Sequence, residues 1–247
     1  MASKVLDDIR TGLLFPSARA NRARRKKEAR PAMTLHGQYN LWLVLLSYVI
    51  AASGSFTALG MAPAWAGHLN VEERSRVRGV MPAGVALGLT IWAMHFTGMA
   101  AFRIHGTPIS YDWAPTILSL VVAVLFTGLG FATLTLLHEP KEALLVAGVP
   151  MASGILSMHF LGMLAMSGNM KMHFEPNLVI AAGLIALVAS VGALWLATLP
   201  KRLPSRIGAA LVMGAAICGM HYTGMAAAHF KAPTSQPLVP ASIVTPG

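Results

Sequence analysis

Three copies of one short motif carry the residues with the most evident chemistry in this sequence. The segments read MHFTGM at 94–99, MHFLGM at 158–163 and MHYTGM at 220–225. Each copy therefore places a His second, at His95, His159 and His221. Neutral imidazole and thioether groups bind soft and borderline metal ions, copper above all, in preference to Mg²⁺ or Ca²⁺. The repeated pattern favours a metal site assembled from equivalent positions of a repeat.

Helical geometry ranks the ligands. The second Met of each motif lies four residues, about one turn, beyond its His on nearly the same face, whereas the first Met is rotated by about 100°. The candidate ligands are His95, His159, His221, Met99, Met163 and Met225, with Met94, Met158 and Met220 behind them. A subset of these suffices for one or two ions. Haem is an alternative cofactor, because two His from facing helices can ligate it axially.

Other residues with metal-binding chemistry lie near the motifs. Cys218 is three residues before His221 and is interpreted as a small packing residue. His105, His173 and His229 follow the motifs, where they would relay an ion or a proton or, more simply, lie in solvated loops. His36, His68 and His138 are assigned no role.

The elements that hold the motifs are predicted to be membrane-spanning helices. Hydrophobic residues make up 55% of the chain and charged residues 11%, against about a quarter charged in soluble domains. Six stretches approach the ~20 apolar residues that cross a bilayer, at 41–61, 80–102, 116–137, 143–166, 178–199 and 207–228. The predicted fold is an all-α, polytopic transmembrane bundle of six helices, arranged as three repeated hairpins with a motif late in each second helix.

Small residues predict which way the His side chains point. Positions seven and eleven before each His share its helix face, and they hold Gly84, Gly88, Gly148, Ala152, Ala210 and Gly214. Small residues let helix backbones approach closely in lipid, so each His is expected to face a helix contact. In all three copies an Ile lies one helical turn before the His, between the small residues and the His: Ile91, Ile155 and Ile217.

The first helices of the hairpins repeat less clearly. Tyr39-Asn40 and Tyr111-Asp112 precede the first two at the same spacing. The third helix of this kind shows no such match, only Glu175-Pro176-Asn177 before it.

Loop charges predict the orientation. The loops after the first, third and fifth helices carry Arg74, Arg76, Arg78, Lys141, Lys201, Arg202 and Arg206, and the opposite loops only Arg103, Lys171 and Lys231. Because basic loops stay in the cytoplasm, the motifs are expected near the periplasmic face of a bacterial inner membrane.

Composition divides the chain into three parts. Residues 1–32 hold nine of the 19 Lys and Arg and are interpreted as a disordered basic tail, or as sequence upstream of a true start at Met33. A membrane-surface or nucleic-acid-binding arm is less favoured, and no nucleic-acid partner is expected. Residues 33–230 form the predicted transmembrane domain. The tail at 231–247 is too short and too rich in Pro to span a membrane.

The three motifs resemble those of the MHYT domain, an integral membrane sensor domain of bacteria, over roughly 33–228. The resemblance implies a sensory module whose Met and His residues bind copper near the outer face and sense oxygen, carbon monoxide, nitric oxide or redox state. It departs from the family where Phe96 and Phe160 replace the Tyr that Tyr222 keeps, and where Leu161 replaces the Thr of the other copies. The expected form is a stand-alone domain without an output domain, which contacts the lipid bilayer and signals through a partner protein, or else a truncated chain. Homo-oligomerisation is left open.

Two other function classes are weighed against the sensor. A metal-ion or small-solute transporter built from three pseudo-symmetric hairpins needs a polar path across the membrane. The first and third helices offer only scattered hydroxyls, at Ser47, Ser53, Ser55, Thr57, Ser119 and Thr127. An enzyme is least favoured and none is expected, because the membrane region has no carboxylate pair, nucleophile–base arrangement or phosphate loop.

Overall fold

The computed structural model describes residues 34–35, 37–62, 73–104, 109–137, 140–168, 171–199 and 202–231. The predictions made for residues 1–32, Met33, the loop residues His36, His68, His105 and His138, and most of 231–247 lie outside the described residues. Contacts separate the chain into a unit of 35–230 and a unit of 1–34 with 231–247. In the second unit, only Thr34 and Lys231 are described.

Six long helices form the first unit. They are α1 Leu41–Met61, α2 Glu73–Ala101, α3 Trp113–Leu136, α4 Pro140–Leu164, α5 Pro176–Thr198 and α6 Leu203–Ala226. All six are long and apolar enough to cross a membrane, so the predicted all-α polytopic bundle is confirmed. Helices α2 and α4 begin before the apolar stretches predicted for them. Their first turns include charged residues, which a helix accommodates as readily as apolar ones. Many large apolar side chains on the outside are exposed, as a lipid environment requires.

Short strands flank the helices, and the sequence did not predict them. They are β1 Thr34–Leu35, β2 Gly37–Tyr39, β3 Phe102–Ile104, β4 Ser110–Tyr111, β5 Met166–Ser167, β6 Lys171–Phe174 and β7 Ala228–Lys231. β2 is antiparallel to β3, with Tyr39 opposite Phe102, and β4 is antiparallel to β5, with Tyr111 opposite Met166. β6 is hydrogen-bonded to β7. Each hairpin is therefore a strand–helix–helix–strand unit whose strands pair at the motif end.

The third hairpin repeats the first two in its backbone. Equivalent hydrogen bonds join Asn40 N to Ala101 O at 2.9 Å, Asp112 N to Ala165 O at 2.8 Å, and Glu175 N to Ala227 O at 2.9 Å. In the third hairpin, Phe174 and Glu175 thus occupy the positions that Tyr39-Asn40 and Tyr111-Asp112 hold in the first two. The third copy therefore keeps the backbone position although it lacks the Tyr-Asn/Asp sequence match, so the sequence alone did not reveal this equivalence.

The helices form a closed ring around the three second helices of the hairpins. Each helix contacts the next, α6 contacts α1, and α2, α4 and α6 also contact one another. The predicted close approaches of small residues are confirmed, since a Cβ at Gly84 would lie 2.7 Å from Gly128 Cα on α3 and one at Gly214 would lie 2.9 Å from Ala52 N on α1. Gly148 likewise faces Val191 on α5. These contacts fasten each second helix to the first helix of the next hairpin, which the sequence did not indicate.

The bundle has two apolar clusters. The larger runs between the helices and includes Ile91, Ile155 and Ile217. The smaller, the outer cluster, lies at the strand end and consists of buried Met99, Phe102, Ile104, Met163, Met166, Met225, Ala228 and Phe230. Because the strands pair at this end, the outer cluster covers the ends of the three motif-bearing helices.

Candidate metal centre

Three buried imidazoles meet where α2, α4 and α6 approach one another. The Nδ1 atom of His95 lies 3.1 Å from Nδ1 of His221 and 3.1 Å from Nδ1 of His159. Among the described residues, this His triad is the one group of three or more His, Cys, Asp and Glu whose ligand atoms lie close enough to hold a metal ion, all within 4.8 Å. The prediction that the three His point into the bundle is confirmed, because each is at most 1% exposed.

The Gly of each motif makes room for an imidazole of another motif. The Nε2 atom of His95 abuts Gly162, that of His159 abuts Gly224, and that of His221 abuts Gly98. A Cβ at any of these three Gly would overlap the ring. The triad is therefore interlocked in a cycle, each helix providing a His to one neighbour and a Gly to the other. This role of the Gly was not predicted, although all three motifs carry a Gly three residues after the His.

Hydrogen bonds alone do not satisfy the triad. A neutral imidazole has one N–H and one nitrogen lone pair. Nδ1 of His95 therefore donates or accepts only one hydrogen bond, yet it lies within hydrogen-bonding distance of two rings. The buried Nε2 atoms of His95 and His221 have no hydrogen-bond partner. A cation among the Nδ1 atoms would remove this competition, because all three lone pairs would then point at it.

The two Nδ1–Nδ1 distances that involve His95 fit ligands of one small transition-metal ion. Two nitrogens 3.1 Å apart, each bound at the 2.0–2.1 Å usual for imidazole on zinc, subtend roughly 95–100° at the ion. That angle is close to tetrahedral and leaves a fourth position for another ligand. The three rings are in direct contact, with centroids 4.9 to 5.2 Å apart, so no space for a porphyrin plane separates them. The donor set thus fits an ion better than it fits haem.

The motif Met residues divide between the two apolar clusters. Met94, Met158 and Met220 pack in the larger cluster between the helices. Met99, Met163 and Met225 pack in the outer cluster, about one helical turn beyond the triad. The three second Met residues therefore share one layer on the outer side of the triad, where thioether sulfur could provide a further ligand.

The aromatic residue that follows each His, at the third motif position, packs against a second aromatic ring. The ring of Phe96 lies 5.8 Å from Tyr111, that of Phe160 lies 5.1 Å from Phe174, and that of Tyr222 lies 5.7 Å from Tyr39. This position is therefore a packing position, and Phe serves as well as Tyr.

Tyr222, the only Tyr among the three residues at the third motif position, also makes a side-chain hydrogen bond. Its hydroxyl, on Tyr222, lies 2.9 Å from Ser47 Oγ. Burial, with a smaller contribution from the neighbouring Tyr222, raises the pKa of Tyr39 to about 12. Burial also raises the pKa of Tyr111. Both phenols outside the helices therefore stay neutral at physiological pH.

A small cavity of about 20 Å³ lies on the inner side of the triad. Ile91, Ile155 and Ile217, one turn before the three His, line it together with Leu87, Met151, Met213 and Ser190. Ser190 Oγ is buried and has no hydrogen-bond partner. The cavity next to the triad therefore has a largely apolar lining.

The remaining candidates lie apart from the triad. Cys218 is buried in the larger cluster, in keeping with its interpretation as a packing residue. His173 on β6 and His229 on β7 are exposed at the strand end.

Fold and site together define a multi-pass membrane protein whose internal repeats bring three imidazoles into contact. The chain belongs to the MHYT family: the family model described as "Bacterial signalling protein N terminal repeat" matches residues 88–147, 153–210 and 214–245. The first two matches begin in the second helix of one hairpin and end in the second helix of the next. The family repeat and the structural hairpin are thus the same unit in a different phase.

Bacterial signalling proteins are similar to this chain over most of its length. It is 39% identical over 202 residues to the bifunctional diguanylate cyclase/cyclic di-GMP phosphodiesterase MucR of Pseudomonas aeruginosa, covering 79% of this chain and 29% of that protein. It is 32% identical over 213 residues to the cyclic di-GMP phosphodiesterase NbdA of the same species, covering 81% and 26%. The signaling protein YkoW of Bacillus subtilis is 31% identical over 214 residues, covering 83% and 26%.

The chain spans less than a third of the length of these relatives. No solved structure matches it. The chain is accordingly a sensory signalling membrane domain of a bacterial family.

Proposed function

We propose that this domain binds a copper ion through His95, His159 and His221 and uses it to sense redox state or a diatomic gas. The convergence of three buried Nδ1 atoms carries the proposal. Copper is favoured because imidazole and thioether are the available donors, and both suit copper. Met99, Met163 and Met225 are the first candidates for a further ligand, and Met94, Met158 and Met220 follow them.

Bound copper would supply reversible one-electron chemistry and an open position for a small ligand. The residues of the chain hold the ion and exclude water. Each His ring is fixed by a Gly of another motif, and the outer cluster covers the triad on its outer side. A change in the oxidation state or ligands of the ion would therefore act directly on the three helices α2, α4 and α6.

The cavity one turn from the triad, which the imidazoles themselves do not line, is suited to a small apolar molecule. Its volume of about 20 Å³ is enough for one molecule of the size of water. A buried water needs two to four polar partners, whereas Ser190 supplies the one polar side chain among the lining residues. A weakly polar gas molecule suits such a site better than water does.

The proposed setting is the bacterial inner membrane, with the triad near the periplasmic face. Arg78, Arg202 and Arg206 lie at the end of the bundle opposite the motifs, where the cytoplasm retains basic residues. The domain itself would have no catalytic role. We propose that it passes its signal to an output module of the kind named in its relatives, in the same polypeptide or in a partner protein.

Metal analysis tests the proposal. The full chain is purified in detergent, loaded with Cu(I) under reducing conditions and dialysed against EDTA to remove exchangeable surface ions. One equivalent of retained copper is expected in the wild type and none in the H95Q/H159Q/H221Q variant, whose amides keep much of the side-chain volume. Circular dichroism and size-exclusion chromatography check that the variant is folded. Equal copper content in a folded variant and the wild type would contradict the proposal.

A further inference from the structure

A second pair of imidazoles faces the outer surface across β6 and β7. In the first hairpin, the backbone N–H of Asn40 donates to the carbonyl of Ala101, and the neighbouring residues Tyr39 and Phe102 lie opposite one another. In the second hairpin, Asp112 donates to Ala165 in the same way, and Tyr111 lies opposite Met166. The equivalent bond in the third hairpin, from Glu175 N to Ala227 O, gives the same register. Counting back from it puts Phe174 opposite Ala228 and His173 opposite His229.

Burial along the two strands agrees with this register. Phe174, Ala228 and Phe230 pack in or against the outer cluster. His173 and His229, at the alternate positions, are both exposed. Successive side chains on a strand point to opposite faces, so the two imidazoles share the outward face of the sheet.

The second hairpin shows how close side chains come at this position. There the opposed residues are Ser110 and Ser167, whose hydroxyl oxygens lie 2.8 Å apart. In the first hairpin the opposed residues are Gln38 and Arg103. This outward cross-strand position, here called the rim position, therefore brings two side chains into reach of one another.

A carboxylate lies next to the rim position of the third hairpin. Glu175 Oε2 is 3.7 Å from His229 Nε2, and the two side chains are 45% and 52% exposed. Glu175 follows His173 by two residues, which places both on the same side of the extended backbone. Two imidazoles and one carboxylate thus share a small area of the outer surface.

We propose that His173, His229 and Glu175 bind a divalent transition-metal ion, Zn²⁺ or Cu²⁺, at a site separate from the His triad. Two nitrogen ligands and one oxygen ligand suit such ions and leave a position for water. In the structure these three side chains do not yet converge as the triad does, and the site closes when the exposed His173 ring rotates toward His229 and Glu175, whose Nε2 and Oε2 atoms are already 3.7 Å apart. The outer cluster lies between this site and the triad, so the two bind ions independently.

Internal duplication does not account for these imidazoles. The triad His occur in every copy of the repeat, and copying a segment would copy them. The rim position holds Gln and Arg in one hairpin, two Ser in the next and two His in the third. Within this chain, the two His occur at the rim position of the third hairpin alone.

Zn²⁺ binding to the purified full chain tests this site. Equilibrium dialysis is expected to give one fewer equivalent of tightly bound Zn²⁺ in the H173A and H229A variants than in the wild type. E175Q is expected to weaken this binding, because it removes the charged oxygen ligand. The triad variant H95Q/H159Q/H221Q keeps the rim equivalent, and S110A/S167A serves as the matched surface control. Unchanged Zn²⁺ stoichiometry and affinity in H173A and H229A would overturn the proposal.

Discussion

The repeat presents two sets of equivalent positions, and the three copies carry the same residue at one set and different residues at the other. At the His triad, all three copies carry the same residue, deep in the bundle. At the rim position, no two copies carry the same pair of side chains. The same backbone unit positions both sets, so the difference lies in what surrounds each side chain.

Interlocking explains why the triad does not vary. Each ring rests against the Gly of another motif and touches two other rings, so changing one member leaves its neighbours without a partner. A rim pair touches mainly its own partner and solvent, and it changes without disturbing the other two hairpins. We therefore expect chemistry that needs three helices together at the triad, and chemistry specific to one hairpin at the rim.

Adding a methyl group at a motif Gly should break the triad most completely. In G224A the new Cβ would overlap the buried ring of His159, which has no free space to enter. We expect loss of the copper equivalent and a reduction in the free energy of unfolding of about 1–3 kcal/mol, as overpacked sites show. Copper content and thermal unfolding of the purified variant measure both effects.

The same helix offers a matched control. A Cβ at Gly219 would have no atom within 4 Å, so G219A should keep the copper and the stability of the wild type. G162A and G98A should behave like G224A, because they face the other two rings. If G224A retains copper and stability as well as G219A does, the interlocked geometry of the triad is wrong.

The parts of this structure that the sequence predicted are those set by long patterns. Apolar stretches of about 20 residues reveal membrane helices, and small residues at helical spacing before each His indicated an inward-facing ring. Three copies of one motif supplied the candidate ligands. These signals extend over many residues or recur, so local substitutions do not hide them.

The parts that the sequence did not predict depend on single contacts. Strands of two to four residues are too short for an alternating pattern to be recognised. Without the strands, His173 and His229 looked like unrelated loop residues 56 positions apart. Which nitrogen of each His faces the others, and why each motif needs its Gly, follow from packing between helices that no linear pattern records.

Placing the two rim His in another hairpin should transfer the Zn²⁺ binding to that hairpin. The second hairpin already has a carboxylate at the matching place, since Asp112 is equivalent to Glu175. We expect S110H/S167H, introduced into the H173A/H229A variant, to restore one equivalent of Zn²⁺ binding. As surface changes, these substitutions should alter stability by no more than about 0.5 kcal/mol.

The single variant S110H is the control for this transfer, because one imidazole and a carboxylate make a weaker site. Restoration by S110H alone would show that the cross-strand pairing is not what binds the ion. No restoration by the pair would show that the third hairpin contributes something beyond the three ligands.

The smallest effect on ion binding is expected at the third motif position, which is only partly buried and holds Phe in two copies and Tyr in one. Y222F removes the hydroxyl that lies 2.9 Å from Ser47 Oγ, while Ser47 keeps its bond to the carbonyl of Val44. The loss of one hydrogen bond should cost about 0.5–1.5 kcal/mol of stability and leave the copper content unchanged, because Phe96 and Phe160 already fill this position. Thermal unfolding and metal analysis of Y222F beside the conservative surface variant S110A measure the two quantities separately. A large loss of copper in Y222F would mean that the hydroxyl acts on the ion, and that the three copies are not equivalent at their centre.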